Sequence, residues 1–325
     1  MSSKIALIRV LACGLLMGML GSAAFWPMAT AAPAPTGKAT TTAPAKGKAS
    51  ATAPANKGKG KAAPAAKAAP VVEEKIPNFA PDSKTGWLAA GTEFIAMPGD
   101  GPKPVTFDKT YPYVPNGTGE QPTFRVADLD NPILRPWVRD ALKRVNDRAV
   151  SGKDAFPPQV RCWPLGVPGF VLYPAQPIFI VQTPKQVLMT WQADHMVRRI
   201  ILTDKHSENV KPSWFGESIG HYENGDTLVV DTIGLNTKTY VDNYRTPHTN
   251  QLHVVERFKL AEDGQSIEVT VTVDDPGAFT TPWSAMQRYR RVDNGPMIEA
   301  TCVEGNFNYY NFDLEPLPEE PKPSF

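Results

Sequence analysis

The amino-acid sequence predicts a mainly β protein, an antiparallel meander of about nine strands that forms a closed or nearly closed β-barrel. After Arg161, short alternating or apolar segments are separated by turn residues, which is typical of strands. Asn224-Gly225, flanked by two such segments at 219–223 and 226–231, is a strong hairpin signal. The sequence shows neither the strand–helix alternation nor the glycine-rich phosphate loop of nucleotide-binding α/β folds. An antiparallel sheet with tight connections can remove its exposed edges by closing into a barrel.

The strands of this barrel are predicted within residues 161–305, and residues 306–325 are expected to form a tail. The strand positions are 177–183, 186–193, 196–203, 216–223, 226–233, 251–260, 265–274, 283–292 and 297–304. Glu262-Asp263-Gly264 and Asp293-Asn294-Gly295 supply further turns between them. The meander therefore needs only short connections over most of its length.

In front of the barrel, residues 76–160 are predicted to form a proline-rich arm and one helix. Proline interrupts both helices and central strands, so the segment as far as Asp130 is expected to wrap irregularly over the core. Asn131-Pro132 provides an N-cap and a first-turn proline for a helix over 131–149, which Ser151-Gly152 ends. Residues at a spacing of three or four form its apolar face: Leu134, Trp137, Val138, Ala141, Leu142 and Val145.

The N-terminus predicts export to the periplasm or out of a bacterial cell. Two basic residues precede an uncharged, mostly apolar run over 10–26, and Ala29-Thr30-Ala31 forms a small-residue cleavage site. Residues 1–31 are therefore expected to be a signal peptide, with no membrane span after cleavage. Retention as an anchor is the alternative, although the run is shorter than the about 20 residues that cross a bilayer. A lipoprotein site at Cys13 is disfavoured because the longer apolar run follows it.

Residues 32–75 are almost entirely Ala, Pro, Lys, Gly and Thr, and they are predicted to form a disordered tether. Its eight lysines indicate either a passive spacer or weak contact with anionic polymers or lipids of the cell envelope. Ten of the 34 basic residues but only two of the 33 acidic ones precede residue 76, so 76–325 carries 24 basic and 31 acidic groups. This acidic balance argues against a nucleic-acid partner, which needs a basic surface.

Cysteine usage agrees with an exported protein. After the signal peptide the chain has two cysteines, Cys162 at the entry to the barrel and Cys302 on its predicted last strand. In an oxidising compartment this pair favours a disulfide, and two buried thiols or a catalytic thiol are the alternatives. Closing a loop of about 140 residues would contribute about 4–5 kcal/mol in the chain-entropy model.

Several motifs between residues 130 and 304 resemble those of a widespread group of uncharacterised bacterial exported proteins. The motifs are Arg161-Cys162-x-Pro164-x-Gly166-Val167-Pro168, Val181-Gln182-Thr183-Pro184, Asp194-His195 with Arg198-Arg199-Ile200, Trp214-Phe215-Gly216-x-Ser218-Ile219-Gly220, Gly225-Asp226-Thr227-Leu228-Val229-Val230-Asp231-Thr232, Pro247-His248 and Leu252-His253-Val254-Val255-Glu256-Arg257-Phe258. The pattern of the group more often has His at the position of Glu217 and Arg at that of His221. The resemblance implies export and brings no particular activity with it.

The hairpin around 262–264 predicts which side chains face each other. If Leu260 faces Gln265 across a tight turn, Arg257 lies opposite Glu268 as a cross-strand ion pair. A slip of one residue would change these partners, because side chains alternate between the two faces of a sheet.

In this register Glu256 falls on an apolar face, which makes it a candidate general acid or base. The apolar residues of that face are Leu252, Val254, Phe258, Ile267, Val269, Val271 and Val273. Burial raises the pKa of a carboxyl group unless it is paired, and a raised pKa suits proton transfer. The alternative is a structural carboxylate that bonds to Arg198 or Arg199, to a tryptophan N–H or to backbone amides.

All five histidines lie between residues 195 and 253, in the part of the chain that contains the predicted strands. The candidates for acid–base chemistry or substrate orientation are His195, His248 and His253. The alternative is that they are ordinary core or exposed side chains, as expected for His206 in a polar loop and His221 on a hairpin. Neither His-Glu-x-x-His nor a cysteine pair with metal-ligand spacing is present, so no metal site and no cofactor is predicted.

A serine nucleophile is not predicted either. Gly216-Glu217-Ser218-Ile219-Gly220 matches the letters of a Gly-x-Ser-x-Gly motif. It leads into a hairpin strand, however, whereas a nucleophile elbow joins a strand to a helix. The glycines are instead expected to allow a bend or close strand packing around Ser218.

Three functions remain open at the level of sequence, and whether the protein is an enzyme is undecided. The first is an exported barrel that binds a small, partly apolar ligand at its mouth. The candidate ligand-binding residues are Arg199, Trp191, Tyr222, Trp283, Met286 and Tyr289. The second is a cofactor-free envelope hydrolase, lyase or isomerase that uses histidine and carboxylate groups. The third is a purely structural envelope protein.

Overall fold

The computed structural model describes the chain between Ile76 and Cys302, with gaps. The described residues are 76–115, 118, 120–152, 162–172, 176–293, 295 and 297–302, with the backbone alone for His195. They belong to one compact unit, Ala68–Phe325. The predicted signal peptide (1–31), tether (32–75) and tail (306–325) lie outside the described residues.

The described residues form a closed β-barrel with one α-helix. The elements are β1 Thr85–Ala89, β2 Ile95–Ala96, α1 Pro136–Val150, β3 Ile178–Gln182, β4 Gln186–Trp191, β5 Val197–Leu202, β6 Glu217–Glu223, β7 Thr227–Ile233, β8 His253–Leu260, β9 Ser266–Asp274 and β10 Trp283–Asp293. Strand order runs from β1 through β3 to β10, and β10 pairs again with β1. This closes a nine-stranded barrel to which β2 adds as an extra strand on β10. The predicted mainly β barrel is therefore confirmed.

The ninth strand of the barrel comes from the N-terminal arm rather than from the end of the chain. Trp87 on β1 faces Arg291 on β10 and Ile178 on β3, so β1 bridges the first and last strands of the meander. The predicted strand at 297–304 is wrong for residues 297–302, which form no strand. Because β1 and β9 already pair with the two edges of β10, a strand at 297–302 would have no free edge of β10 to pair with.

One pair of neighbouring strands departs from the predicted antiparallel meander. Strands β5 and β6 are parallel, with Ile200 facing Ser218 and Leu202 facing Gly220. Parallel neighbours need a crossover that returns the chain to the same end of the sheet. Residues 203–216 provide that crossover, and they run along the outside of the barrel. The sheet is therefore mixed, although its other pairings are antiparallel.

The helix begins later than predicted. Asn131 does not cap it but forms a turn, in which its side-chain oxygen accepts a hydrogen bond from the Ile133 amide at 3.2 Å. The first helical residue is Pro136, whose missing N–H suits that position. Trp137 was expected on the buried face but is 40% exposed, and its indole N–H donates to the Gly277 carbonyl at 2.8 Å. The buried residues of the helix are Val138, Leu142, Asn146 and Ala149. The predicted end at Ser151 and Gly152 is confirmed.

The register of the β8–β9 hairpin is shifted by two residues from the predicted one. Leu260 faces Ile267 instead of Gln265, because the Ala261 amide donates to the Ser266 carbonyl before the chain turns at 262–265. A shift of two residues changes the partners but preserves the faces. The predicted pairing of Arg257 with Glu268 is therefore wrong, since Arg257 faces Thr270 and Lys259 faces Glu268. The predicted apolar face is nevertheless buried inside the barrel.

The interior of the barrel is filled by side chains rather than open. Trp87, Met189, Ile200 and Phe258 are among the buried residues of one continuous hydrophobic core. The internal cavity beside Tyr289 has a volume of about 10 Å³. A cavity needs about 10–15 Å³ to hold a single water molecule, so this one has no room for an organic ligand.

Gly220 permits the close approach of β6 to its neighbours. A Cβ at this position would lie 2.8 Å from the Val229 carbonyl oxygen and 2.9 Å from a methyl group of Ile200. Gly216 has a positive φ of 63° at the start of the same strand, which produces the expected bend. Ser218, between them, points into the barrel, so the Gly-x-Ser-x-Gly letters do not form a nucleophile elbow.

The predicted disulfide between Cys162 and Cys302 is confirmed, with Cα atoms 5.6 Å apart and a sequence separation of 140. Cys302 follows β10 and does not lie on a strand, contrary to the prediction. The bond links the segment before β3 to the segment after β10. Among the described residues, no helix is both long and apolar enough to cross a membrane.

Candidate functional site

Glu256 lies inside the barrel, where it forms an ion pair with Arg198. Both side chains are completely buried, and an Nη2 hydrogen of Arg198 is donated to Glu256 Oε2. The same guanidinium donates to Ser218 Oγ at 3.3 Å and to Thr232 Oγ1 at 3.0 Å. Strands β5, β6, β7 and β8 thus each contribute one side chain to a hydrogen-bonded network across the barrel interior. This geometry supports the structural interpretation of Glu256, which named Arg198 as a partner.

The surroundings of the ion pair are apolar and closed. Tyr289 donates its hydroxyl to the Val171 carbonyl at 2.8 Å. Its pKa is raised well above the usual value, first by burial and then by the negative charge of Glu256. Glu256 Oε1 and Arg198 Nη1 have no hydrogen-bond partner among the described residues.

His248 is buried in the loop between β7 and β8. Its Nδ1 donates to the Thr249 carbonyl at 2.8 Å, which leaves Nε2 to accept a hydrogen bond from the Thr239 hydroxyl at 2.9 Å. Burial lowers the pKa of His248, so the neutral ring is favoured. Both ring nitrogens are occupied, which is the arrangement of a structural histidine.

Two of the three remaining predicted candidates, His253 and Glu256, do not converge on one cavity. His253 lies on the outer face of β8, whereas Glu256 lies on its inner face, because residues three apart on a strand point to opposite sides. His195 ends a short 3-10 helix, Ala193–His195, and its side chain is outside what the structure describes. His253 and Glu256 therefore belong to different environments.

His253 belongs instead to a histidine–carboxylate cluster on the outer face of the barrel, formed with His206, Glu217 and Asp231. His206 lies between two carboxylates, with Nδ1 at 3.0 Å from Glu217 Oε1 and Nε2 at 2.9 Å from Asp231 Oδ1. His253 Nε2 is 3.0 Å from the same Asp231 oxygen. Strands β6, β7 and β8 each present one member, and the crossover presents His206.

Hydrogen bonds keep both carboxylates of the histidine–carboxylate cluster ionised. The pKa of Glu217 is lowered, first by the Ser207 hydroxyl at 2.6 Å and then by the Ser207 amide at 2.7 Å. Partial burial raises the pKa of Asp231, but hydrogen bonds from His206 and His253 outweigh it and the net shift is downward. The cluster is therefore an anionic site with two imidazole donors, partly open to solvent.

Sequence reasoning missed His206, Glu217 and Asp231 as members of one cluster. The alternation of the β6–β7 hairpin places Glu217 and Asp231 on the outer face, a signal that was present in the sequence. The position of His206 depends on the path of the crossover, which follows from the parallel pairing of β5 and β6. A local pattern does not contain that information.

The predicted ligand-binding residues are not gathered around one opening. Trp191, Trp283 and Tyr289 are buried. Tyr222 is half-buried, and its hydroxyl accepts a hydrogen bond from the Gln182 amide at 3.0 Å. Arg199 lies on the outer face, where its Nε donates to Gln186 Oε1 at 2.6 Å. Met286 is only partly buried, on the outer side of β10. The aromatic members therefore serve mainly to pack the barrel.

A groove of about 660 Å³ lies elsewhere on the molecule, between the N-terminal arm and the β9–β10 connection. It is lined by residues from three segments, 100–106, 128–133 and 280–281. The segments are joined by backbone contacts: Asn131 Nδ2 donates to the carbonyls of Lys103 and Pro104, both at 3.1 Å, and the Thr280 amide donates to the Ile133 carbonyl at 2.8 Å. The groove is therefore already formed in the folded protein.

The lining of this groove combines apolar surface with negative charge. Prolines and Ile133 provide the apolar part: Pro102, Pro104 and Pro132. Three carboxylates, Asp100, Asp128 and Asp130, face one ammonium group, that of Lys103. An amine with an apolar substituent would match both properties.

Within the described residues, no group of three or more His, Cys, Asp or Glu side chains is arranged to hold a metal ion. Comparison of the sequence with protein-family models and with curated proteins finds no match. The functional interpretation therefore depends on the geometry of the groove and of the histidine–carboxylate cluster.

Proposed function

We propose that the protein is exported to the bacterial envelope and binds a small, partly apolar organic cation in the groove between the arm and the β9–β10 connection. The observation that carries the proposal is the volume of the groove, about 660 Å³. Pockets for small molecules typically measure about 300–1,000 Å³. The cavity inside the barrel is far smaller, which moves the expected binding site from the barrel mouth to the groove.

The sign of the ligand charge follows from the lining. Three carboxylates and one ammonium leave an excess of negative charge around the groove. Exposed ion pairs contribute only about 0–1 kcal/mol each and are screened by salt. Apolar contact with the prolines and Ile133 is therefore expected to supply most of the affinity, while the carboxylates select against anions.

A pair of probes of similar shape tests this proposal. Benzylammonium should shift the backbone amide signals of the non-proline residues in 100–106 and 128–133 in an NMR titration, whereas neutral benzyl alcohol should bind more weakly. The double variant Asp128→Asn/Asp130→Asn should weaken benzylammonium binding, and so should higher salt. Asp140→Asn, which neutralises an exposed carboxylate on α1 outside the groove, is the matched control. Groove signals that do not move, or that move equally with benzyl alcohol, would overturn the proposal.

Export is supported by the apolar N-terminal run and by the disulfide, a bond that persists in oxidising compartments. Mass spectrometry of the protein recovered from the periplasm or medium should find a new N-terminus at or near Ala32. A protein that still begins at Met1 would contradict this part of the proposal.

The second candidate function is acid–base catalysis on the outer face of the barrel. It is favoured by the Asp231–His253 contact of 3.0 Å, in which both side chains remain more than one third exposed. A carboxylate that orients a histidine is the usual support of a general base. Hydrolysis of p-nitrophenyl acetate that is lost in His253→Asn but kept in His221→Asn would support this function, and no difference between the two variants would exclude it for that ester.

A further inference from the structure

The crossover between β5 and β6 contains an exposed strap, residues 203–212, that lies on the outer face of the barrel away from the ligand groove. All of its residues are exposed except His206 and Val210. Val210 packs against Gly234, where an added Cβ would lie 2.3 Å from the valine methyl group. Beyond the strap, the Ser213 amide donates to the Gly234 carbonyl at 3.0 Å. The second half of the strap is therefore held by packing and backbone contacts.

The first half of the strap is held by the histidine–carboxylate cluster. His206 reaches Glu217 and Asp231, and Ser207 donates both its amide and its hydroxyl to Glu217. The other strap residues on this side, from Thr203 to Lys205 and from Glu208 to Asn209, are exposed. Attachment of this half thus depends on side chains that carry charge.

The hydrogen-bond geometry matches an imidazolium at His206. A carboxylate oxygen only accepts hydrogen bonds, and a neutral imidazole has one N–H. Nδ1 and Nε2 of His206 both face carboxylate oxygens, at 3.0 and 2.9 Å, so both contacts are hydrogen bonds only when both nitrogens carry a proton. Loss of one proton would leave a nitrogen lone pair pointing at Glu217 or at Asp231.

Other charged groups near His206 come from each neighbouring element. Strands β6 and β7 present Glu217 and Asp231, and β8 presents His253, which donates to the Asp231 oxygen that also faces His206. On β9, Asp274 lies directly opposite His253. The strap itself carries Asp204, Lys205 and Glu208 beside His206, all exposed. The two carboxylates in contact with His206 stay ionised well into acid, since their pKa values are lowered.

We propose that the strap is a proton-dependent latch: it lies on the barrel while His206 is an imidazolium between Glu217 and Asp231, and its first half detaches when that proton is lost. Detachment removes the His206 contact from Asp231 and exposes the Asp231–His253 pair further, beyond the more than one third of each side chain that is already exposed. The latch would thereby make the exposure of this pair depend on external pH, which is not buffered by the cytoplasm in an exported protein. It is independent of the ligand groove and of its proposed ligand.

The Ser207 amide reports directly on the latch, because it donates to Glu217 Oε1 at 2.7 Å. Hydrogen exchange of this amide, measured by NMR between pH 5 and pH 9 and corrected for the intrinsic rate, spans the range in which histidines titrate. Its protection factor should fall by about tenfold or more as His206 loses its proton, the ratio that corresponds to losing one charge-assisted hydrogen bond. The Val230 amide in the middle of β7 should keep its protection, which separates local detachment from unfolding.

Two variants make the test decisive. His206→Gln cannot titrate, so its Ser207 protection should be independent of pH over the same range. His221→Gln removes an exposed histidine of the same sheet that pairs with Glu223, and it should retain the wild-type pH dependence. Constant Ser207 protection in the wild type, or a pH dependence that survives in His206→Gln, would overturn the latch.

Discussion

Glu256→Gln tests whether the buried ion pair holds the barrel together. The substitution keeps the size of the side chain but removes its negative charge, which leaves the buried Arg198 guanidinium without a counter-charge and with only neutral acceptors, the new amide oxygen and the Ser218 and Thr232 hydroxyls. Removing one partner of a buried ion pair typically costs about 3–5 kcal/mol. Native domains are stable by only about 5–15 kcal/mol, so the variant should lose a large part of its free energy of unfolding.

The expected loss is large enough for ordinary denaturation experiments. For a domain of about 150–250 residues, each kcal/mol shifts Tm by about 2–4 °C, so Glu256→Gln should melt about 6–20 °C below the wild type. Urea unfolding should show a correspondingly lower midpoint with an unchanged slope. Glu268→Gln is the matched control, because Glu268 lies on the outer face of β9, 3.6 Å from Arg288, and its loss should change stability by about 0.5 kcal/mol or less.

A double variant separates the charge effect from the packing effect. Arg198→Met/Glu256→Leu removes both charges and keeps apolar volume inside the barrel, so it should recover most of the stability lost in Glu256→Gln. A Glu256→Gln protein that melts with the wild type or above it would refute the reasoning. That outcome would indicate a carboxyl group maintained for function at the expense of stability, which is the alternative interpretation of Glu256.

Three further outcomes follow from the fold. Cys162→Ser should lower Tm under oxidising conditions but not under reducing ones. For a loop of this length the free energy of unfolding should fall by at most about 4–5 kcal/mol. Two free thiols in the native protein would contradict the disulfide. Gly220→Ala should destabilise the barrel by about 1–3 kcal/mol in urea, because the new methyl group meets a backbone oxygen and Ile200, whereas Gly91→Ala, with open space around it, should be neutral. Burial raises the pKa of Asp242 from 3.8 to about 6 despite its hydrogen bonds from Thr246. Folding then favours the protonated form, so this group should make stability fall as pH rises from about 4 to 6, by about 3 kcal/mol, and Asp242→Asn should remove that decline; equal pH profiles for both proteins would disprove it.

The sequence alone determined the class of the fold and which face of most strands is buried. Period-two alternation is a local property, and it assigned Val254, Glu256 and Phe258 to the interior correctly although the predicted hairpin register was two residues off. The face survives such an error because strand side chains repeat every second residue. The disulfide followed from two cysteines in a chain with a predicted export signal, a question of composition rather than of packing.

Only the tertiary structure decided how the barrel closes and which polar groups meet. Strand β1 was hidden in the proline-rich arm, since its role depends on the two edges that β3 and β10 leave free. The contact of His206 with Glu217 and Asp231 depends on the route of the crossover, and the groove depends on three segments separated by up to about 175 residues of chain. The physical reason is the same in each case: a sequence pattern reports the burial of a side chain, which is set by its own neighbours along the chain. The partner of a charge or the wall of a groove comes from residues far away in sequence, and their approach is determined by the closed barrel as a whole.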